Sequence, residues 1–552
     1  MVKKILKVLG ALLGCVAMFI LVVYIMVVVG TPGQEKFSEY SMPDDVVLLD
    51  QNWTKDIRQQ FHFTTFGSRL VPYSWFLNLQ LPGSKQLLRD NVHMERLGFI
   101  LQKPGANNPD GIPVGFAVDE DETGEAWVGL TCAMCHTGQV AYQGQKIMVE
   151  GGPTMMNYAG FLDSLTDSLN STLTNEDVFE QFSKSVDAKY KEQLRESLTE
   201  RAKFFNTLKG MNATEVPYGH GRVDAFGQIF NAISAYALEI PENAKSPDAP
   251  VSIPVLWDAP YMDLVQWNAS APNIEPGPLG QNAVTALAVF GQIKMEKEGL
   301  GYESTVEIKN LGYIQSQLNK LQPPQWPEEI LGAIDQQKAG KGKVHYDRHC
   351  ASCHEVVSRD RKDKRLKAGI IPLAEIGTDA VAAKNFATAK SKTGRLEGEK
   401  LAMIAGPKFT DEAATIDLLI NAVVGLLLKH PVDTLTTMRM EYRSVYSAPT
   451  DFTREVYKAR PLDGIWSAAP YLHNGSVPTV YDLLLPADQR PSSFYVGTRE
   501  LDIVKVGNLQ DKEEQGTLFD TSLYGNTNTG HEFGTSLSDE ERWELVEYIK
   551  TL

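Results

Sequence analysis

Cysteine is close to absent: the 552-residue chain contains five, and histidine is nearly as scarce at ten. So few cysteines exclude the dense disulfide framework of a small secreted domain. Cys15 lies in an apolar run; the other four, Cys132, Cys135, Cys350 and Cys353, fall into two short clusters instead of being spread along the chain for cross-linking. Positive charge is also short, with 53 Lys and Arg against 69 Asp and Glu, a formal net charge of −16. That balance argues against nucleic acid as a partner, whose phosphates would be repelled. No internal repeat exists beyond the two cysteine clusters, and there is one long hydrophobic run. A hydrophobic fraction of 43% and a charged fraction of 22% are those of a globular protein. The length predicts roughly two to four domains.

The hydrophobic run follows MVKKILK and holds roughly 22 uncharged residues, VLGALLGCVAMFILVVYIMVVVG, enough for a bilayer core. It exceeds the apolar region of a cleavable signal, and no small-residue cleavage site follows. Residues 1–30 are therefore expected to be a membrane anchor or uncleaved signal. Lys3, Lys4 and Lys7 would stay cytoplasmic, placing the rest on the periplasmic face of a bacterial inner membrane. A lipidated Cys15 fits less well, because the apolar run continues past it.

The clusters are LTCAMCHTG at 130–138 and HCASCHE at 349–355, each containing C-x-x-C-H. Two thiols one helical turn apart reach the two vinyl groups of a haem, and the next histidine lies under the iron. A redox dithiol has no use for that histidine, and a zinc site needs further ligands at characteristic spacing. Two covalently bound c-type haems are expected, one on Cys132, Cys135 and His136, the other on Cys350, Cys353 and His354.

Around the second motif the pattern has a frame. AGKGKVHYDRHCASCH puts Gly340 and Tyr346 on a helix running into the haem turn. LSDEERWELVEYIKTL opens with a capping box, Ser538 and Glu541, followed by Trp543, Val546 and Ile549 at near-helical spacing. This plan resembles a class I cytochrome c over roughly residues 335–552. QPPQWP at 322–327 reads as a linker, residues 175–210 as one or two surface helices, and 241–282 as loop. The expected fold is mainly α, two cytochrome c-like haem domains with long loops behind a single N-terminal transmembrane helix. The boundaries are 1–30 for the anchor, 31–321 for the first haem domain, 322–334 for the linker and 335–552 for the second domain.

For the far side of the second iron, His531 lies in the loop just before the last helix, where a class I cytochrome c supplies its distal ligand. His473, in APYLHNGSVPT, and Met438 or Met440 are the alternatives; His473 also suits a hydrogen bond to a haem propionate or a loop carbonyl. Bis-histidine ligation would suit electron transfer. The first haem has no comparable candidate, its surroundings being aromatic: FHFTTFGSRLVPYSWFL at 61–77 and VLWDAPYMDLVQW at 255–267. His62, His93 and His220 read as structural hydrogen-bonders. An iron without a second protein ligand would bind oxygen or peroxide. Trp257 and Trp267 are candidates for lining that pocket or relaying electrons between haems, against packing alone. The basic run at 359–369 could dock an acidic electron donor or be a solvated loop.

PLDGIWSAAPYLHNGSVPTVYDLL at 461–484 resembles the signature of di-haem cytochromes related to bacterial cytochrome c peroxidases. F-H-F-T-T-x-G, P-Y-S-W-F, GLTCAMCHTGQ, FYVGTRELDIVKVG and NTNTGHEFGTSLSDEE together resemble the rubber-oxygenase-type di-haem cytochromes, a group that includes dioxygenases of unsaturated fatty acids. The resemblance implies a reactive N-terminal haem held by His136 and a bis-histidine C-terminal haem held by His354 and His531. The expected partners are O2 or H2O2, an unidentified organic substrate, and a small redox cytochrome or quinol pool. A membrane anchor does not suit the secreted attack on latex. Dioxygenase of an unsaturated lipid, peroxidase and pure electron carrier remain the competing activities.

Overall fold

The computed structural model describes residues 18, 20–26, 42–43, 45–186, 190–273, 277–296, 299–359, 365–440, 453–509 and 516–552. Helices account for 41% and strands for 16%, which corrects the mainly α expectation. The strands build eight sheets of two or three strands each among the described residues. None of them exceeds six residues, too short for polar–apolar alternation to stand out in sequence.

The first motif sits among these strands. In chain order come β1 (Val46–Leu48), α1 (Lys55–Phe63), β2 (Val71–Pro72), β3 (Phe116–Glu120) and β4 (Ala126–Leu130). The five-residue α2 (Cys132–His136) follows, then β5 (Thr137–Tyr142) and β6 (Gln145–Glu150). β5 and β6 form a hairpin whose turn, Gln143–Gly144, has φ of 49° and 83°, the two left-handed residues that a tight hairpin needs. β1 adds to β6 in parallel, and β2–β4–β3 make a second small sheet. The C-x-x-C-H helix is thus the link between two sheets. Gly115, with φ of +92°, lets the chain entering β3 press against it: a Cβ there would lie 2.3 Å from Met134 Cα.

Beyond the hairpin run α3 (Tyr158–Thr174), α4 (Glu176–Ser185) and α5 (Lys191–Met211), the last two matching the charged amphipathic stretch at 175–210. β7 (Arg222–Val223) pairs with β8 (Val251–Ser252). Among the described residues the 241–282 stretch, expected as loop, also holds helical turns at Pro241–Asn243 and Ala259–Tyr261 and an antiparallel pair of Leu264–Val265 with Ala271–Pro272, and a helix begins at Gly277. α6 (Gln336–His349) carries the second motif on its C-terminal end; β9 (Gly369–Pro372), the apolar α7 (Thr415–Lys429), β10 (Val456–Ala459) and α8 (Asp539–Ile549) complete the frame. α8 begins with a complete capping box: Glu541 N–H donates to Ser538 Oγ at 3.3 Å and Ser538 N–H to Glu541 Oε2 at 2.8 Å. α6 crosses α8 at Gly342, where a Cβ would stand 1.9 Å from the Glu544 carbonyl oxygen. Gly340, on the same helix, touches nothing there.

Two further parts of the fold expectation are corrected. The largest core draws Leu49, Trp53 and Phe61 together with Tyr346, Trp466, Leu545 and Val546, and both Cys132 and Cys350 pack against it. The two motifs therefore share one core instead of standing in separate cytochrome-like bodies; side chains far apart in sequence pool their apolar area. Most of the expected anchor lies outside the described residues, and among those described no single helix is long and apolar enough to cross a membrane. α7 owes its apolar sequence to burial in another core, through Leu418, Leu419, Ala422 and Leu426.

Candidate haem sites

At the first site α2 turns Ala133 and Met134 into the protein, while Cys132, Cys135 and His136 are only half-buried. The site lies where three cores meet: Cys132 packs against the shared core and the one containing α7, Cys135 against the Phe76–Phe99–Phe116–Phe161 cluster. Burial pushes both thiols up to about 12 and the His136 imidazole down to about 4. His136 Nδ1–H donates to the Pro254 carbonyl at 3.1 Å, fixing the tautomer that leaves Nε2 for a metal. Behind the helix lies a dry ionic network. Glu150, fully buried, accepts from Arg58 Nη1 at 3.2 Å, His62 Nε2 at 3.2 Å and Thr137 Oγ1 at 3.3 Å. Burial alone would raise the Glu150 carboxyl, but the charges and hydrogen bonds of His62 and Arg58 outweigh it and hold it low. Thr131, just before Cys132, donates its hydroxyl to the His62 carbonyl. The network pins both ends of α2.

At the second site the cysteines leave α6 as a turn, with Cys353 N–H and His354 N–H donating to the Cys350 carbonyl at 3.1 and 2.9 Å. Tyr346, fully buried, donates its hydroxyl to the His354 carbonyl at 2.8 Å. His354 Nδ1–H donates to the Arg460 carbonyl at 2.6 Å, the counterpart of His136 and Pro254. Opposite stands His531. A metal–imidazole bond is about 2 Å, so two such bonds and the inner halves of two rings span about 6 Å. The His354 and His531 ring centres are 6.2 Å apart. No hydrogen bond joins the rings. Burial pushes both imidazoles down, His531 to about 3, which favours the neutral form that ligates a metal. Arg490 gathers the carbonyls of Asn528, Gly530 and His531 and so shapes the loop that presents His531. Among the described residues no ring stands opposite His136 in this way.

The other histidines weighed as ligands or hydrogen-bonders are engaged elsewhere. His62 serves Glu150; His220 donates from Nε2 to the Arg96 carbonyl and accepts at Nδ1 from Thr517; His93 Nδ1 accepts from Arg96. His473 is buried, stacks on Tyr457 with ring centres 3.9 Å apart, and accepts Ser252 N–H at its carbonyl. Met438 packs in the α7 core, and the Met440 side chain lies outside the described residues. Of the basic run, residues 360–364 lie outside the described set, while Arg359 donates to the Pro323 carbonyl and Gln322 Oε1. Trp257 is fully buried and donates to the Asp463 carbonyl at 2.8 Å. The Trp267 indole N–H donates to the Ser252 carbonyl, two residues before Pro254, and its ring lies 5.4 Å from the Arg460 guanidinium carbon. Sequence reasoning missed Pro254 and Arg460, whose roles are played by backbone carbonyls that no motif marks. It also missed the Arg58–Glu150 pair, for which the only hint was an acid ending an apolar strand.

Paired thiols with a following histidine, and neutral imidazoles spaced for a shared metal, fit a c-type haem. Residues 456–495 match the RoxA-like, cytochrome c-like family, a segment holding both Arg460 and His473. That segment is a cytochrome c-like domain, and the match points to haem-based oxidoreduction. Over 592 aligned positions the chain is 31% identical to "Uncharacterized protein y4iJ" of Sinorhizobium fredii (strain NBRC 101917 / NGR234), covering 93% of this chain and 94% of that protein, and it belongs to that protein's family. It is also 26% identical to "Uncharacterized protein y4iM" of the same organism over 366 positions, 61% of this chain and 73% of the relative.

Proposed function

We propose that the chain is a di-haem c-type cytochrome of the periplasm that reacts with O2 or hydrogen peroxide at its N-terminal site and passes electrons through its C-terminal site. A haem supplies electron transfer where protein ligates both faces of the iron and small-molecule chemistry where it ligates one. The observation that carries this reading is the asymmetry between the sites: His354 faces His531 at 6.2 Å, and His136 faces no ring among the described residues. Pro254 and Arg460 hold the two proximal histidines in the ligating tautomer. Trp267, hydrogen-bonded toward the Pro254 segment and packed against Arg460, provides the aromatic path between them.

Within this class, oxidation of an unsaturated lipid by O2 is the reading that the family resemblance favours, with peroxide reduction fed by a small cytochrome or quinol as the alternative. Carbon monoxide added to the reduced protein tests the open site: one CO bound per two haems is expected, and none bound contradicts the reading. Oxygen uptake with an unsaturated fatty acid and no added donor separates the oxygenase from a peroxidase, which turns over peroxide only with a reduced cytochrome.

A further inference from the structure

The segment that holds His354 also carries two enclosed cations that no carboxylate pairs directly among the described residues. Arg460 offers its carbonyl to His354, but its guanidinium makes no hydrogen bond or ion pair among the described residues and rests against the Trp267 ring at 5.4 Å. Lys458, two residues earlier on β10, reaches only Met262 Sδ at 3.6 Å and the Leu264 carbonyl at 3.4 Å. Both side chains are half-buried, and they are close enough to repel one another. Asp258 acts on both from beyond ion-pair range, and Asp263 on Lys458 alone. Alternation along the strand puts Lys458 on the face opposite Tyr457, the residue on which His473 stacks. Enclosed cations held only by carboxylates beyond ion-pair range remain costly, and the two together suit an anion placed between them. A haem brings two carboxylates. Guanidinium suits a carboxylate as a planar fork, and ammonium suits one as a point charge.

We propose that Lys458 and Arg460 form the anion-binding pair that receives the propionate groups of the haem attached at Cys350 and Cys353. The proposal rests on the reading that a haem is attached there. One short segment then serves the cofactor twice. The Arg460 carbonyl, just past the end of β10, orients the proximal histidine, while the Lys458 and Arg460 side chains neutralise the carboxylate edge of the same haem.

The test uses the full, haem-loaded chain and its Arg460→Met and Lys458→Met variants. A pyridine haemochrome assay and a haem-stained denaturing gel first establish that both haems are attached. Optical redox titration then reads each haem separately. Removing a neighbouring positive charge favours the ferric state, so the midpoint potential of the low-spin haem shifts downward in each variant and further in the double variant, with the other haem unmoved. Arg460→Lys restores most of the shift. Attached haems with unchanged potentials, or a shift confined to the other haem, overturn the proposal; absence of haem at Cys350 and Cys353 removes the reading beneath it. Should the methionine variants fail to fold, infrared redox-difference spectra of the wild-type protein carrying isotope-labelled propionates decide. Bands of ion-paired carboxylates support the assignment, and bands of freely hydrated ones contradict it.

Discussion

At the first motif C-x-x-C-H fills a five-residue helix clamped between strands; at the second it hangs from the end of a fourteen-residue helix crossed by another. Each proximal histidine is held alike, Nδ1–H to a main-chain carbonyl. The surroundings differ in kind. Behind the first lies Glu150, fully buried with Arg58 and His62; beside the second, the buried Glu544 meets His345 and an exposed Lys341. The second has an imidazole across from it, and the first has none among the described residues. The motif fixes attachment and one ligand; what the fold sets opposite decides the chemistry.

The comparison breaks most plainly if one motif carries no haem. Cys132→Ala with Cys135→Ala, and separately Cys350→Ala with Cys353→Ala, should each halve the covalent haem in a pyridine haemochrome assay, and the first pair alone should abolish CO binding. A pair whose loss leaves the haem content unchanged would show that its motif does other work.

A smaller effect sharpens the contrast between the supporting networks. Glu150→Ala leaves Arg58 buried without its partner and should cost about 3–5 kcal/mol in denaturant unfolding. Glu544→Ala, whose partner Lys341 is 56% exposed, should cost far less. Equal losses would mean that the first network is not dry.

The smallest effect is on pH dependence. Burial pushes His473 down to about 3, against an ordinary value of about 6.5. Between those values the unfolded chain binds the proton and the folded chain does not, so stability falls as pH drops through that window, by at most about 1.4 kcal/mol per unit. His473→Phe keeps an aromatic ring against Tyr457 and should lose less thermal stability between pH 6.5 and 4 than the wild type. Parallel curves would contradict the assigned burial.

Much of the C-terminal site is readable in sequence, because its information is local. A capping box, an apolar helical stripe and a C-x-x-C-H turn each lie within a few residues, and His531 lies just ahead of the helix that Ser538 starts. The N-terminal surroundings are not local. Glu150 meets Gln51, Arg58 and His62 across some ninety residues of chain, and Pro254 meets His136 across 118. The strands around α2 are two to six residues long, and β1 and β2 pair only with distant β6 and β4, so periodicity could not reveal them and the fold looked more helical than it is. The Gly342 crossing is equally silent in sequence, where Gly340 looks the same.

Electron paramagnetic resonance of the oxidised, haem-loaded protein tests the central asymmetry most directly. The account predicts one high-spin signal, from the iron on His136, and one low-spin signal, from the iron between His354 and His531, with His531→Ala converting the second to high-spin. Two low-spin signals in the wild-type protein, or a low-spin signal that survives His531→Ala and vanishes only in His473→Ala, would contradict it.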